Sequence, residues 1–280
     1  MAQIEAMQNA KAEFEQGRLQ IRSVKFWADG ILESYTAQLI EPYSDKPDTS
    51  GMLMVSREQM LAGVPAMDAL GFQVHIHAIG DGTVRYALDA FEKAQQENSV
   101  RDSRHLPAHT QLVDPQDLPR FAQLNAIAGF SPYWANADEY VDLINRPQLG
   151  EARMKTMYPM QSLLDSGATK AFGSDWYVST ADPLLGIETA ITRQEPHASS
   201  TEVFLPEQRI SLDAAIAGYT INAAYANFLD ADTGSVEVGK YADLVIIQDN
   251  LFDLPVAQIS DTKVTATLLE GEIVYGNFDQ

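Results

Sequence analysis

Polar side chains that could bind a metal or move a proton recur on successive β-type stretches of this 280-residue chain. They are Lys25, His75, His77, His109 and Asp175. Imidazole nitrogens and carboxylate oxygens at open positions suit Zn²⁺ or a similar divalent cation. Charged groups inside a fold are costly unless they are paired or bound to a metal, so their recurrence indicates a metal site. The spacing alone leaves a second interpretation open, in which each residue is an ordinary core histidine or a solvated lysine.

The positions of His75 and His77 along their strand determine which imidazole can reach a site at the end of that strand. Residues two apart on a strand share a face, so His75 and His77 are expected to point the same way. His77 lies about 6.6 Å closer to the carboxyl end of that strand, which makes it the better ligand. His105 begins its stretch and lies at the opposite end, while His197 belongs to a polar loop, EPHASS.

The elements that must position these residues alternate between short β-type and longer helical stretches, which predicts βα units and a parallel sheet. The predicted strands are Arg22–Asp29, Phe72–Ala78, His105–Gln111, Ala126–Ser131 and Ala168–Asp175. The predicted helices are Arg57–Leu70, Gly82–Gln96, Pro115–Leu124, Tyr158–Ser166 and Leu212–Asn227. Functional residues of parallel α/β folds collect at the carboxyl ends of the strands, so the polar residues are expected to meet there.

The pattern changes near residue 229, and two β-rich segments, 234–247 and 263–275, follow. We therefore predict an α/β domain over residues 1–229 and a small β unit over residues 230–280. A unit of roughly 50 residues with so few strands does not make a stable sandwich alone. Likewise, the five predicted βα units are too few to close a parallel β/α barrel, which needs about eight. Both parts of the chain are therefore expected to be incomplete.

Composition excludes several classes of function. The chain has 39 acidic and 19 basic residues, giving a net charge of -20, which disfavours nucleic acids and anionic membranes as partners. No segment approaches the roughly 18 apolar residues of a membrane span, and the start resembles an acidic helix more than a signal peptide. A cytoplasmic location is expected. Because the chain has no cysteine, any metal must be held by histidine, carboxylate or modified lysine.

Several motifs together resemble a known family. They are VKFWADG (Val24–Gly30), HAIGDGTV (His77–Val84), AHTQ (Ala108–Gln111), GSDW (Gly173–Trp176) and GSVEVGKYADLVII at 234–247. These segments resemble the amidohydrolase superfamily, in particular the branch of metal-dependent hydrolases that includes the N-substituted formamide deformylases. The matches are spread over nearly the entire chain, and HAIGD and the closing GxVExGKxADLV are the most specific.

The resemblance implies a fold and a ligand set. In that superfamily a TIM-like (β/α)₈ barrel carries one or two divalent metals, and segments before and after the barrel form a composite β-sandwich. The stretches seen here would be strands four to eight, followed by the C-terminal segment of the sandwich. Lys25 would match the strand-four lysine, which is usually carboxylated to bridge two metals. His77 and His109 would match the strand-five and strand-six ligands, and Asp175 the strand-eight aspartate.

The superfamily also has a His-x-His pair on strand one, and His75-Ile-His77 could be mistaken for it. If the pair were on strand one, a lysine or glutamate and two further strands, each carrying a histidine ligand, would have to follow before Asp175. Only His109 is available for these positions. The resemblance thus implies that strands one to three and their histidine pair are absent. We expect a fragment of a longer protein, a recombinant piece or a naturally truncated homologue, holding at most about one divalent ion, zinc by preference.

The resemblance implies hydrolysis of a carbon–nitrogen bond in a small non-peptide amide or cyclic amide, with Asp175 as the catalytic proton carrier. Aromatic residues at or just past the strand ends predict a substrate pocket; they are Trp27, Tyr133, Trp134, Trp176 and Tyr177. The alternative is a non-catalytic remnant or subunit that associates through open sheet edges. A metal-free α/β binding protein is a third interpretation. Open edges also predict a homo-oligomer, and metal content would separate the first two alternatives.

Overall fold

Parallel strands in chain order form the centre of the molecule. The computed structural model describes residues 2–17, 19–199 and 201–277. One sheet contains β1 (Ser23–Trp27), β2 (Gln73–Ala78) and β3 (Leu106–His109), and a second contains β4 (Ala128–Phe130) and β5 (Lys170–Phe172). All of these pairings are parallel. The Ile127 amide donates to the His105 carbonyl at 2.9 Å, which sets β4 beside β3. The predicted α/β fold is therefore confirmed.

Strand β2 shows how alternation divides the sheet into two faces. Val74 and Ile76 are fully buried beneath the helices that follow the strands, and each contributes about 1.5–3 kcal/mol through burial. His75 and His77 alternate with them and therefore point to the opposite, concave face. The sheet register places Lys25 opposite His75 and Trp27 opposite His77, so side chains of the two strands meet on that face.

The helices cover the other face of the strands and fill the connections between them. They are α1 (Ala2–Phe14), α2 (Arg57–Ala69), α3 (Asp81–Asn98), α4 (Leu118–Gln123), α5 (Arg146–Met154), α6 (Met160–Asp165), α7 (Pro183–Thr192), α8 (Leu212–Tyr219) and α9 (Ile221–Ala226). Helix α2 begins at a capping box in which Ser56 and Gln59 each bond the other's backbone amide. Within the described ranges, no helix has the length and apolar character that crossing a membrane demands.

The last predicted helix, 212–227, differs from what the structure shows. Ser211 caps its start as its sequence position suggests, with its hydroxyl accepting from the Ala214 amide at 3.2 Å. The helix then breaks at Thr220, where φ is -118° and ψ is -97°. The Thr220 hydroxyl donates to the Ile216 carbonyl at 2.8 Å, a back-bond that competes with regular helical bonding. The segment is thus two short helices, α8 and α9.

The C-terminal segment forms an antiparallel sheet of β6 (Leu244–Ile247), β7 (Val264–Leu269) and β8 (Glu272–Gly276). Between β6 and β7 a short helical turn packs on α7, with Ile259 fully buried. The Ser260 amide also donates to the Glu188 carboxylate of α7 at 2.8 Å. Strand β8 is exposed along its whole length. The division into domains at residues 229 and 230 stays a prediction.

Lys170 is a buried cation whose replacement is expected to stabilise the fold. It begins β5 with 2% of its surface exposed, and burial lowers the pKa of its amine to about 8 from 10.5. The unfolded chain therefore binds more protons between those values, and stability should rise with pH across that window. At pH 7, Lys170→Met should raise the free energy of unfolding by about 1–2 kcal/mol, measured by urea denaturation. The gain should shrink as pH approaches 10.5; a gain that stays constant with pH would contradict this explanation.

Candidate metal centre

A cavity at the carboxyl ends of the parallel strands contains all of the predicted metal ligands in its wall. Its volume is about 790 Å³, and Lys25, His77, His109 and Asp175 line it. Lys25 reaches it from β1, His77 from β2 and His109 from the last residue of β3, while Asp175 follows β5. The structure thus brings these residues to one cavity, and their role as ligands stays a prediction.

The two predicted histidine ligands contact each other and are held between indole rings. The ring centroids of His77 and His109 lie 4.6 Å apart with an edge-to-face angle of 63°. Trp27 stacks on His77 at 5.4 Å, and Trp134 stacks on His109 at 5.5 Å. Because each imidazole is packed against an indole, the orientation of both rings is restricted before any ligand binds.

Asp29 orients His77, a role that was not predicted from the sequence. Its carboxylate is fully buried. It accepts hydrogen bonds of 2.8–3.2 Å from the Gln38, Ile79 and Gly80 amides, the Thr83 hydroxyl and Nδ1 of His77. A carboxylate with these partners acts as an acceptor, so Nδ1 of His77 carries a hydrogen, and in the neutral imidazole Nε2 is the nitrogen with the free lone pair. This carboxylate–histidine arrangement is the one that typically orients metal-binding imidazoles.

The available signal for Asp29 was its place in VKFWADG, as the last residue of the first predicted strand, Arg22–Asp29. Its partners lie up to 54 positions away in sequence. They come from the loop after β1 and from a segment that runs from the end of β2 to the first turn of α3. No pattern of alternation within one strand could therefore reveal them.

Backbone strain marks the strand ends that carry His109 and Asp175. Their φ angles are 73° and 54°, and Thr110 has a φ of 43°. Non-glycine residues seldom occupy this left-handed region, and residues held there often belong to functional sites. His109 is buried, and burial, with the charges of His77 and Lys25, lowers its pKa to about 3. At neutral pH its imidazole is therefore neutral, which is the form that binds metals.

His75 lies deeper on the concave face than His77. It lines a neighbouring cavity of about 340 Å³, into which Lys25, His109 and Asp175 also extend. Burial, followed by the charge of Lys25, lowers the pKa of His75 to about 4. Its Nε2 atom is buried without a hydrogen-bond partner among the described residues. The two histidines share a face, and His77 is the one in ring contact with His109.

The remaining histidines lie away from the cavity. His105 is buried where β3 begins; its Nδ1 accepts from the Val74 amide at 2.9 Å, and its Nε2 lies 3.1 Å from the Asp68 carboxylate. His197 is exposed, with Nδ1 3.6 Å from the Asp261 carboxylate. His105 therefore has a structural role in joining α2 to the sheet.

Aromatic side chains dominate the wall of the larger cavity. Trp27, Trp134, Trp176 and Tyr177 line it, whereas Tyr133, also predicted for the pocket, lies outside this lining. The wall also contains Tyr140 and Tyr158, which were not predicted from the sequence. Both residues lie in the long connection between β4 and β5, away from the ends of the strands. Their position in the sequence therefore did not predict a place in the cavity wall.

The donor atoms fit a divalent ion only in part. In the described part of the chain, no group of three or more histidine, aspartate or glutamate side chains stands close enough together to hold a metal ion. Catalytic zinc sites usually take three protein ligands, and an unmodified lysine amine is a poor one. His77 and His109 are thus the core of a candidate site that needs Asp175 to move closer or ligands from elsewhere.

Comparison with known proteins decides the family. A profile described as the amidohydrolase family matches residues 2–275. The chain belongs to the amidohydrolase family. It is 36% identical over 257 residues to Protein LONG AFTER FAR-RED 3 of Arabidopsis thaliana, a match that covers 92% of this chain and 43% of the relative. The resemblance that the motifs indicated is therefore confirmed.

Two further relatives bear on function. An N-substituted formamide deformylase of Arthrobacter pascens is 25% identical over 206 residues, covering 74% of this chain and 37% of the relative. The crystal structure of an uncharacterized metal-dependent hydrolase from Pyrococcus furiosus is 30% identical with a TM-score of 0.71. That match covers 85% of this chain and 47% of the hydrolase. The chain spans less than half the length of each relative described here.

Proposed function

We propose that this chain provides part of the active site of a metal-dependent hydrolase that cleaves carbon–nitrogen bonds in small non-peptide amides or cyclic amides. The observation that carries the proposal is the contact between His77 and His109, with Lys25 and Asp175 on the same cavity. Membership of the amidohydrolase family and the likeness to a metal-dependent hydrolase support it. The substrate would be a small molecule that the aromatic wall can enclose.

The proposed fold assignment is strands four to eight of a (β/α)₈ barrel, with β6–β8 as a segment of a composite β-sandwich. The parallel order β1 to β5 and the helices on one face support the barrel assignment. The exposed strand β8 supports a sandwich to which further strands belong.

We propose Nε2 of His77, the His109 imidazole and Asp175 as the protein ligands of one divalent ion, zinc by preference. Lys25 would join them as its carboxylated form, since carboxylation replaces an ammonium by an anion. When bound, such an ion supplies Lewis acidity and lowers the pKa of water toward neutrality.

The remaining chemistry belongs to side chains of this chain. Asp175 is exposed beside the cavity, where its carboxylate can accept a proton and return it to the leaving nitrogen. Asp29 fixes the ring of His77 through Nδ1. The indoles of Trp27 and Trp134 cover the outer faces of the two imidazoles and exclude water from them.

The proposal predicts metal-dependent turnover. With added Zn²⁺, the purified chain should hydrolyse members of a panel of small amides, and Asp175→Asn should lower kcat by about 10²-fold or more. Glu139→Gln, at an exposed position outside the cavity lining, is a control expected to leave the rate unchanged. Turnover that needs no metal or survives in Asp175→Asn would contradict the mechanism. No turnover by the wild-type chain would favour the non-catalytic alternative.

We also propose that the chain forms a homo-oligomer, because β1 and β5 end their sheets and leave strand edges for another chain. Light scattering at high protein concentration should give a mass above that of one chain. A stable monomer of 30.8 kDa would contradict this proposal.

A further inference from the structure

Two half-buried carboxylates form part of the cavity wall beyond the histidine pair. Glu33 and Asp138 line the same 790 Å³ cavity as His77 and His109. The side-chain amide of Asn145 donates to the Glu33 carboxylate at 3.2 Å, and the backbone amide of Val141 donates to the Asp138 carboxylate at 2.9 Å. These hydrogen bonds hold both carboxylates in the wall. Among the described lining residues, Lys25 is the sole lysine or arginine, so the wall around Glu33 and Asp138 is acidic.

Tyr158 supplies an independent sign that this part of the cavity accepts a ligand. Its side chain lines the cavity although only 4% of the residue is exposed, and no partner for its hydroxyl is present in the described ranges. Burial raises the pKa of its phenol, and the negative charges of Glu33 and Asp138 raise it further. The phenol is therefore neutral, and the negative charges of both carboxylates extend to its hydroxyl.

The position of Tyr158 is fixed by its backbone. Its φ is 45°, in the left-handed region. Its amide donates to the Gln111 carbonyl at 2.7 Å, and its carbonyl accepts from the buried guanidinium of Arg193 at 3.3 Å. A strained residue held from both sides of its peptide keeps its ring in the cavity wall.

Aromatic rings complete the surroundings. Besides Tyr158, the wall contains Trp27, Trp134, Tyr140, Trp176 and Tyr177. The faces of aromatic rings attract organic cations, and carboxylates do so more strongly over a longer range. The same wall repels anions, and the net charge of -20 adds to that repulsion.

We propose that this cavity selects ligands that carry a protonated amine next to an aromatic or alkyl group. Glu33 and Asp138 attract the ammonium group of the ligand. The oxygen of the Tyr158 hydroxyl accepts a hydrogen bond from one ammonium N–H, and the indoles pack against the apolar part of the ligand. The inference rests on the proposed function only where it names these ligands as substrates, namely amides with an ammonium on the nitrogen substituent. The preference for cations itself is a property of binding.

Binding without hydrolysis tests the preference. The probes are 2-phenylethylammonium, 2-phenylethanol and phenylacetate, which share a ring and differ in charge, and none contains an amide. Each titration is followed by tryptophan fluorescence. A chelator is present so that phenylacetate cannot bind through its carboxylate to a metal ion in the cavity. We expect the ammonium to bind about tenfold more tightly than the alcohol, with phenylacetate the weakest. Equal affinity of the ammonium and the alcohol would overturn the proposal.

Matched variants assign the effect to the cavity. Glu33→Gln and Asp138→Asn should each weaken binding of the ammonium by about threefold to tenfold and leave the alcohol unchanged. Glu139→Gln removes the same charge from the neighbouring, exposed position outside the lining, and should leave both affinities unchanged. An equal loss in Glu139→Gln would overturn the proposal, because the effect would then come from overall charge.

The outcomes for function and for cation preference are separate. Tight ammonium binding without amide hydrolysis would support the preference and overturn the proposed function for this chain. Hydrolysis of neutral amides without any advantage for the ammonium would support the function and overturn the preference.

Discussion

Replacing His77 by alanine is expected to abolish binding of Zn²⁺, whereas His75→Ala leaves it largely in place. His77 lies in ring contact with His109, and Asp29 holds its Nδ1 so that Nε2 is left for a metal. His75 lies one pleat deeper and has neither contact. Loss of a ligand should lower affinity by at least about 100-fold, more than changes to residues behind the ligands usually do.

Competition with a chromophoric chelator at pH 7.5 measures this affinity. The wild-type chain should bind at most about one ion, and binding should weaken as pH falls because metals take the neutral imidazole. His197→Ala, at an exposed histidine far along the chain, is the control and should bind as the wild type does. Equal loss in His75→Ala and His77→Ala would show that the assignment within the pair is wrong or that both bind.

Asp29→Ala is expected to cause the largest loss of stability among the substitutions considered. The carboxylate is fully buried and accepts hydrogen bonds from Gly80, Thr83 and His77, among others. Removing it leaves several buried donors without a partner, at a cost of about 3–5 kcal/mol. The free energy of unfolding from urea denaturation measures the change.

Asp45→Ala provides the matched control. Its carboxylate accepts one hydrogen bond, from the exposed Tyr35 hydroxyl at 2.8 Å. We expect a loss of no more than about 1 kcal/mol there. A comparable loss in both variants would mean that Asp29 does not organise the turn beneath the site.

Alternation along a strand was enough to predict the face that carries the candidate site. His75 and His77 share one face of β2 because Val74 and Ile76 must be buried on the other. The parallel order of the strands then places residues at their carboxyl ends around one cavity. These features depend on local periodicity, which a single sequence contains.

The rest depends on tertiary contacts that no local pattern encodes. Asp29 acquires its role from groups of two distant segments, Gln38 in the loop after β1 and Gly80 after β2. Tyr158 reaches the cavity because Gln111 and Arg193 hold its peptide in a left-handed conformation. In each case the deciding partner is another side chain or peptide whose proximity only the folded chain creates.

Anomalous diffraction from a crystal soaked in Zn²⁺ tests the proposed metal centre most directly. The account predicts one strong peak within bonding distance of Nε2 of His77 and of the His109 imidazole, with the Asp175 carboxylate brought to the same ion. A peak at His75 instead, a peak away from these residues, or no peak at saturating Zn²⁺ would contradict it.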